Sequence, residues 1–206
     1  MQYLIQLLIS GLAIGAIYGL IAMGFAVIYK STGLVNFAQG EMTMIVAYVA
    51  WTISTTVSGN VFIVAFGAIL AAIALGLVIE RVVMRPMLGE PVFATVMVTI
   101  GLAVILRSSI NFIWDAYPHG LDLGVGRDIV RVSGIGVRTG QMAVITALLL
   151  LLASVWAFFR YSKFGIAMRA VAADDRTALL MGISATRVHA IAWAASSVIA
   201  GIAGVF

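Results

Sequence analysis

A short polar stretch, residues 33–42, concentrates side-chain chemistry in a region that is otherwise apolar. It reads GLVNFAQGEM and carries Asn36, Gln39 and Glu41, with Gly40 just before the acid. Such side chains are costly in lipid, so they are expected to face other protein, water or a transported solute. Broken helices line transport sites because their freed backbone groups need polar partners. The stretch therefore predicts a pore lining, and the open alternative is an interfacial loop with Glu41 at a helix N-terminus.

The most polar part of the chain, residues 160–187, is a candidate docking surface. It holds five of the twelve basic residues and an acidic pair: Arg160, Lys163, Arg169, Arg176, Arg187, Asp174 and Asp175. Residues 165–173 are good helix formers, and Asp174 can cap a second short helix that ends before Gly182. The second helix presents Ala178, Leu179 and Met181 as small apolar contacts beside charges, which is typical of a surface that fits a groove on a partner. The alternative is a solvated connector.

The chain offers no energy source and no catalytic arrangement of its own. Residues 24–31 have the spacing of a nucleotide-binding loop, but Tyr29 stands where the second glycine is required. No Ser/His, Cys/His or paired-carboxylate arrangement suits catalysis. Cys is absent and the two His, His119 and His189, are isolated, so no metal site is expected. If ATP drives the protein, a separate subunit binds it, and this chain needs no cofactor.

Composition places the chain in a membrane. Hydrophobic residues make up 63% and charged residues only 10%, whereas roughly a quarter of residues are charged in soluble domains. Membrane lipid is therefore the main surrounding of the chain. The net charge of +4 indicates membrane orientation, because Lys and Arg collect on the cytoplasmic side, and does not indicate nucleic acid binding.

Apolar runs long enough to cross the hydrocarbon core predict an all-α integral membrane protein, a polytopic bundle forming one domain over residues 1–206. The six runs are residues 4–29, 37–57, 61–79, 93–114, 141–159 and 189–206. The first carries Gly11, Gly15 and Gly19 on one helix face, where another helix can approach closely. The fourth holds Arg107, which is expected either to face the bundle interior or to snorkel to the nearer interface.

Two connections complete the predicted topology. Residues 80–91 are expected to leave the membrane as a short basic connection. Residues 115–140 form a larger loop outside the membrane, in which alternating β-branched residues around Ser133 and Gly134 predict a small hairpin. The last run is still apolar where the chain stops, so we expect it to be truncated at the C-terminus.

The distribution of basic residues predicts an orientation. If residues 160–187 are cytoplasmic, strict alternation also places Lys30 and residues 80–91 inside, which gives eight basic residues on that side. The loop 115–140 is then extracytoplasmic and the N-terminus faces outward. A re-entrant segment at residues 33–42 would shift this parity.

Three stretches resemble the permease subunits of branched-chain amino acid ABC importers, in the same order and at comparable spacing. They are GLVNFAQGEM (33–42), IERVVMRPM (79–87) and RYSKFGIAMRAVAADDRTALLMGI (160–183). The resemblance covers essentially the whole chain and implies a multi-pass protein of the bacterial inner membrane. Members of the family continue for roughly a third more chain. The resemblance also implies two ABC ATPase subunits, a second homologous permease and a periplasmic or other extracytoplasmic substrate-binding protein as partners.

Two sets of residues are expected to carry function, and of these only Ala172, Ala173, Asp174 and Gly182 are matched to the family's coupling loop by the resemblance. The substrate pathway would comprise Asn36, Gln39, Gly40, Glu41 and Arg107. ATPase coupling would comprise Gly165, Arg169, Ala172, Ala173, Asp174, Asp175 and Gly182, although no Glu precedes the alanines as it does in the Glu-Ala-Ala loop of other bacterial importers. Related permeases carry urea and short amides, and this alternative stays open. Two further alternatives stay open. One is a stand-alone secondary transporter that uses Glu41 and Arg107 as a charged pathway, and the other is a purely structural membrane subunit.

Overall fold

The computed structural model describes residues 2–115, 117, 119–121, 129–132 and 135–206 of the chain. Within these ranges the protein is an α-helical bundle with one two-stranded sheet. The helices are α1 (Gln2–Thr32), α2 (Gln39–Thr56), α3 (Val61–Ile79), α4 (Val92–Trp114), α5 (Thr139–Tyr161), α6 (Lys163–Ala173), α7 (Asp175–Leu180) and α8 (Ala185–Val205), and the strands are β1 (Ile129–Val132) and β2 (Ile135–Arg138). The predicted all-α, multi-pass fold class is confirmed.

Five of the described helices are long and apolar enough to cross a membrane: α1, α3 with its extension, α4, α5 and α8. The bounds of α3 are those of the predicted apolar run. α1, α4, α5 and α8 each begin or end a few residues away from the apolar run that predicted them. α2 corresponds to the remaining predicted run but falls outside this group. It has only 18 residues and carries Gln39 and Glu41 in its first turn, which makes it the least apolar of the long helices.

The predicted extent of the basic connection after α3 is wrong. Instead of leaving the bundle at Glu80, the chain continues as a π-helical turn, Glu80–Met84, and a 3₁₀ turn, Arg85–Met87. Glu80 and Met84 are buried. The helix ends at Pro86 and Met87 because proline cannot donate the backbone hydrogen bond that a further turn needs. The exposed connection is therefore shorter than predicted.

The helices alternate in direction between two ends of the bundle. At the first, called the hairpin end, Gln6 near the start of α1 donates to the carbonyl oxygen of Gly136 in β2. Tyr48, late in α2, donates there to the carbonyl oxygen of Tyr117, just after α4. The strands pair antiparallel, as predicted, with Ile129 opposite Arg138. The turn at 133–134 lies outside the described residues.

The opposite end, called the basic end, collects exposed cationic side chains. They are Lys30, Arg81, Arg85, Arg160, Lys163, Arg169 and Arg187. α2 runs from within the bundle to the hairpin end, so the non-helical segment before it does not alter the alternation. The predicted parity is present in the structure, with the N-terminus and residues 160–187 at opposite ends.

α8 is the central helix and packs against α1, α2 and α3. Its small residues allow this close approach, because a Cβ added at Gly204 would lie 2.6 Å from the carbonyl oxygen of Thr43 in α2. On the α3 side, a Cβ at Gly76 would lie 2.6 Å from the carbonyl oxygen of Trp193. Backbone-to-backbone approach of this kind is how membrane helices associate without a hydrophobic driving force between them.

The predicted glycine face of α1 packs only at one of its three positions. Gly11 and Gly15 are exposed, and a Cβ at either would meet no described atom within 4 Å. A Cβ at Gly19 would lie 3.3 Å from the Leu148 side chain of α5. α1 instead buries Ala13 and Ala16, because the apolar stripe that faces the bundle is offset from the glycines.

Candidate functional site

The polar stretch begins where α1 is stopped by local chemistry. Gly33 adopts a left-handed backbone conformation, with φ of 69°, and its amide donates to the carbonyl oxygen of Tyr29. Glycine reaches this conformation without the steric penalty of a Cβ, so it ends helices readily. Asn36 forms a turn before α2: its side-chain oxygen accepts from the amide of Ala38, the residue before the helix, at 3.0 Å. This Asx turn brings the chain back toward the bundle.

The returning chain places a buried polar cluster against α1 and α8, called the amide cluster and formed by Gly24, Asn36, Gln39 and Ser196. The side-chain amide of Asn36 donates to the side-chain oxygen of Gln39 at 3.3 Å. The Ser196 hydroxyl lies 2.7 Å from the carbonyl oxygen of Gly24 and 3.0 Å from the same Gln39 oxygen. All four residues are buried. The cluster thus ties α1, α2 and α8 together.

Gln39 keeps one donor unpaired within the amide cluster. Its Nε2 has no hydrogen-bond partner in the described part of the protein. A Cβ at Gly24 would lie 2.3 Å from that nitrogen, so the absent side chain of Gly24 is what makes room for the amide. An unsatisfied buried donor costs about 1–3 kcal/mol. The cluster therefore retains capacity for a further polar ligand.

A cleft of about 410 Å³ opens beside this cluster, between α1 and the start of α2. Asn36, Gln39 and Gly40 contribute the end nearest the helix break. The remaining wall is apolar or aromatic and includes Tyr18 and Phe25 of α1. The structure thus brings three of the five predicted pathway residues to one cavity, in which amide groups adjoin an apolar surface.

The other two predicted pathway residues meet elsewhere. Nη2 of Arg107 in α4 donates to Oε1 of Glu41 in α2 at 2.5 Å. Gln39 and Glu41 are two residues apart on a helix, so they face nearly opposite sides. The side chain of Glu41 is 10% exposed and that of Arg107 is 67% exposed. Arg107 therefore does not point into the bundle interior but pairs with Glu41 at the bundle edge.

Several buried polar groups are not predicted from the sequence. Ser196 completes the amide cluster, and Trp193, Ser197, Glu80 and Thr95 each have a side-chain polar atom with no hydrogen-bond partner among the described residues. The signal available in the sequence is the pair of serines at 196–197 inside an apolar run. Helical periodicity does not reveal which side of that run faces α1.

The two short helices of residues 160–187 form as predicted. The Ser162 hydroxyl accepts from the amide of Phe164 and caps α6. The carboxylate of Asp174 accepts from the amide and from the hydroxyl of Thr177, which caps α7. Gly182, with φ of 80°, ends α7 as predicted. The predicted helix signals are thus confirmed at both ends of α7.

The surface of this segment differs from the prediction in two places. Ala178 is buried in the core, whereas Leu180 is 88% exposed and stands beside exposed Leu179 and Met181. Gly165 is buried, because a Cβ there would lie 2.4 Å from the carbonyl oxygen of Phe158.

Of the other residues predicted to couple, Ala172 and Ala173 are exposed, and Asp174 caps α7. Arg169 lines a cleft against α1 and α5. For Asp175 the structure describes only the backbone, at the start of α7. Exposed apolar residues of the segment thus lie on α7 and also on α6, where Phe164 and Ile166 are exposed.

The fold and the site define a multi-pass membrane protein whose polar residues are buried at a helix break. Residues 7–206 match the family described as branched-chain amino acid transport system / permease component, and the chain belongs to that family. The high-affinity branched-chain amino acid transport system permease protein LivH of Salmonella typhimurium is 32% identical, over 98% of this chain and 70% of its own length. LivH of Escherichia coli is 31% identical over the same shares. BraD of Pseudomonas aeruginosa, named for the same activity, is 27% identical over 98% of this chain and 69% of its own. No solved structure matches the chain significantly.

Proposed function

We propose that this chain is the membrane-spanning permease subunit of an ABC importer and that it carries branched-chain amino acids across the bacterial inner membrane. The observation that carries the proposal is the family match over residues 7–206. Relatives named for branched-chain amino acid transport, which cover nearly the whole chain, support the same solute class. The chain itself is not the catalyst of ATP hydrolysis and binds no cofactor.

The cleft beside the amide cluster suits such a solute. A branched aliphatic side chain needs an apolar wall, which Tyr18, Phe25 and their neighbours on α1 supply. The polar end of an amino acid needs hydrogen-bond partners, and the side-chain amides of Asn36 and Gln39 stand at one end of the cleft. Arg107 lies outside this cleft and offers donors at a second polar site on the opposite face of α2, because a guanidinium has five N–H groups and Glu41 occupies only part of them. Asn36, Gln39, Gly40, Glu41 and Arg107 are thus our proposed pathway residues.

The capped helix α7 suits the transmission of force from an ATPase. Leu179, Leu180 and Met181 form an exposed apolar tip next to charged residues. Its N-terminus is held by the Asp174 carboxylate, so the tip projects from a fixed base. Amphipathic helices recognise partners by laying such residues into a groove. In this proposal two ATPase subunits close on α6 and α7, a second homologous permease completes the pathway, and an extracytoplasmic binding protein delivers the solute.

Transport in sealed vesicles tests the proposal. The chain is reconstituted with its genomic-neighbour ATPases, second permease and binding protein, and uptake of labelled leucine, isoleucine and valine is measured. Uptake should require ATP on the ATPase side, resist a protonophore, and be inhibited by excess leucine but not by urea or acetamide. Uptake that persists without ATPases and collapses with the protonophore would establish a secondary transporter instead. Inhibition by urea or acetamide alone would establish an amide permease.

A further inference from the structure

A second cleft, of about 470 Å³, lies at the basic end between α1, α5 and α6. It is separate from the cleft at the helix break and shares none of its lining residues. Its rim carries the cations Lys30, Arg160 and Arg169, one from each helix. A cavity of this size falls within the range of roughly 300–1,000 Å³ that small-molecule sites occupy.

Two of the three rim cations, Lys30 and Arg160, lie near aromatic rings. Nζ of Lys30 lies 4.9 Å from the ring centre of Phe159, and Cζ of Arg160 lies 5.9 Å from that of Trp156. These distances fit cation–π contacts. The one ion pair in the described part of the protein is Glu41–Arg107, so none of the three rim residues is neutralised by a described acid. The rim therefore presents a concentrated, exposed positive charge.

Below the rim the cleft continues along apolar side chains of the membrane-crossing helices. Its wall includes Met23 and Val27 of α1 and Leu152 and Val155 of α5. Met23 lies seven residues before Lys30, which places it about 10 Å deeper along the helix at 1.5 Å per residue. The ligand that complements this cleft is therefore an amphipathic anion with a charged head and an apolar tail.

The position of α5 indicates where that ligand comes from. α5 is the least buried of the five membrane-crossing helices, and Leu149, Leu152 and Trp156 on it are exposed. The cleft thus adjoins an exposed apolar face of a helix that is long and apolar enough to cross the membrane. A water-soluble ATPase reaches the rim from outside but not the apolar wall between two spanning helices.

We propose that this cleft binds an anionic phospholipid, with its phosphate on Lys30, Arg160 and Arg169 and one acyl chain along the wall between α1 and α5. Basic pockets between membrane helices on the cytoplasmic side are suited to such headgroups. Since Arg169 belongs to α6, the bound lipid joins the helix that precedes α7 to two spanning helices. The bound lipid therefore stabilises the position of α6, at the start of residues 160–187, against α1 and α5.

Lipid retention by the purified chain tests this site. The full chain, together with the subunits that co-purify with it, is prepared in mild detergent, and bound lipids are counted by native mass spectrometry. Phosphatidylglycerol is titrated against phosphatidylcholine of the same acyl chains. The Lys30→Gln, Arg160→Gln double variant should bind phosphatidylglycerol at least tenfold more weakly than the unaltered chain, with phosphatidylcholine unchanged. Lys163→Gln is the matched control, since Lys163 is exposed at the same end but does not line the cleft.

Four outcomes would overturn the proposal. Equal retention of phosphatidylglycerol by the double variant would show that the rim does not hold it, and an equal loss in Lys163→Gln would show diffuse charge attraction. Thermal protection by inorganic phosphate equal to that by phosphatidylglycerol would show a phosphate site without a lipid. Unchanged lipid binding combined with loss of ATPase co-purification in the double variant would show a protein-docking surface.

Discussion

Glu41 and Arg107, 66 residues apart in the sequence, form an ion pair that joins α2 to α4. The two side chains differ in what happens when the partner residue is removed. A carboxylate in a low-dielectric environment can take up a proton and become neutral, whereas a guanidinium cannot lose its charge in a protein. A charged side chain left in a membrane helix costs up to about 3 kcal/mol on insertion scales. The pair is therefore asymmetric, and its asymmetry can be measured.

Glu41→Gln is expected to lower stability more than Arg107→Gln, because it leaves a permanent charge without its partner on a membrane-crossing helix. Each single change should reduce leucine uptake by about tenfold or more, and combining the two should recover stability but not uptake. Thermal unfolding in detergent and vesicle uptake are the measurements. Glu90→Gln, which removes an exposed acid from a connection, is the control. A greater loss of stability in Arg107→Gln would contradict the asymmetry.

Gly24→Ala is expected to disrupt the amide cluster. The new methyl would lie 2.3 Å from Nε2 of Gln39 and 3.2 Å from the carbonyl oxygen of Ser196, so the Gln39 amide must move. Overpacking of this kind costs roughly 1–3 kcal/mol. Uptake should fall severalfold while the protein still inserts, as membrane fractionation would show. Gly11→Ala, on the same helix with no atom nearby, should transport normally. Normal uptake in Gly24→Ala would remove the cluster from the pathway.

Gly76→Ala is expected to damage folding itself. Its methyl would meet the carbonyl oxygen of Trp193 at 2.6 Å and the Cα of Ala194 at 3.0 Å. Both are backbone atoms that cannot rotate away, so α3 and α8 must separate along the central crossing of the bundle. We expect a loss of at least about 1–3 kcal/mol in the free energy of unfolding and reduced yield. Gly101→Ala in α4, where nothing lies within 4 Å, should leave both unchanged, and a stable Gly76→Ala would contradict the packing account.

Variants of Asp174 separate its charge from its capping role. Asp174→Asn keeps a side-chain oxygen for the cap and should retain solute-stimulated ATP hydrolysis in the assembled complex. Asp174→Ala loses the cap, which costs about 1 kcal/mol, and should weaken coupling. Asp174→Lys with Asp175→Lys should abolish coupling and leave membrane insertion intact. Glu90→Lys is the charge-reversal control, and unchanged coupling in the double Lys variant would remove the docking assignment.

Features set by near neighbours in the chain could be predicted. The cap of α7 by Asp174, its end at Gly182 and the bounds of α3 depend on residues within a few positions of each other. The continuation of α3 through Glu80 could not be predicted. The basic residues near Glu80 suggest a membrane interface, whereas packing against α8 buries Glu80. The exposure of Gly11 and Gly15 could not be predicted either, because a stripe of small residues does not show which helix packs against it.

The sequence by itself indicated a multi-pass helical membrane protein, a polar interruption within residues 33–42, and two short helices in residues 160–187. Those properties follow from apolar run lengths, from glycine at a left-handed position and from capping side chains, which are local. Only the tertiary structure decided that Gln39 faces Ser196 while Glu41 faces Arg107. Residues two apart on a helix contact different neighbours. Here the neighbours lie on α8 and α4, which are distant from α2 in the sequence. The predicted single pathway is therefore two separate polar sites on opposite faces of α2.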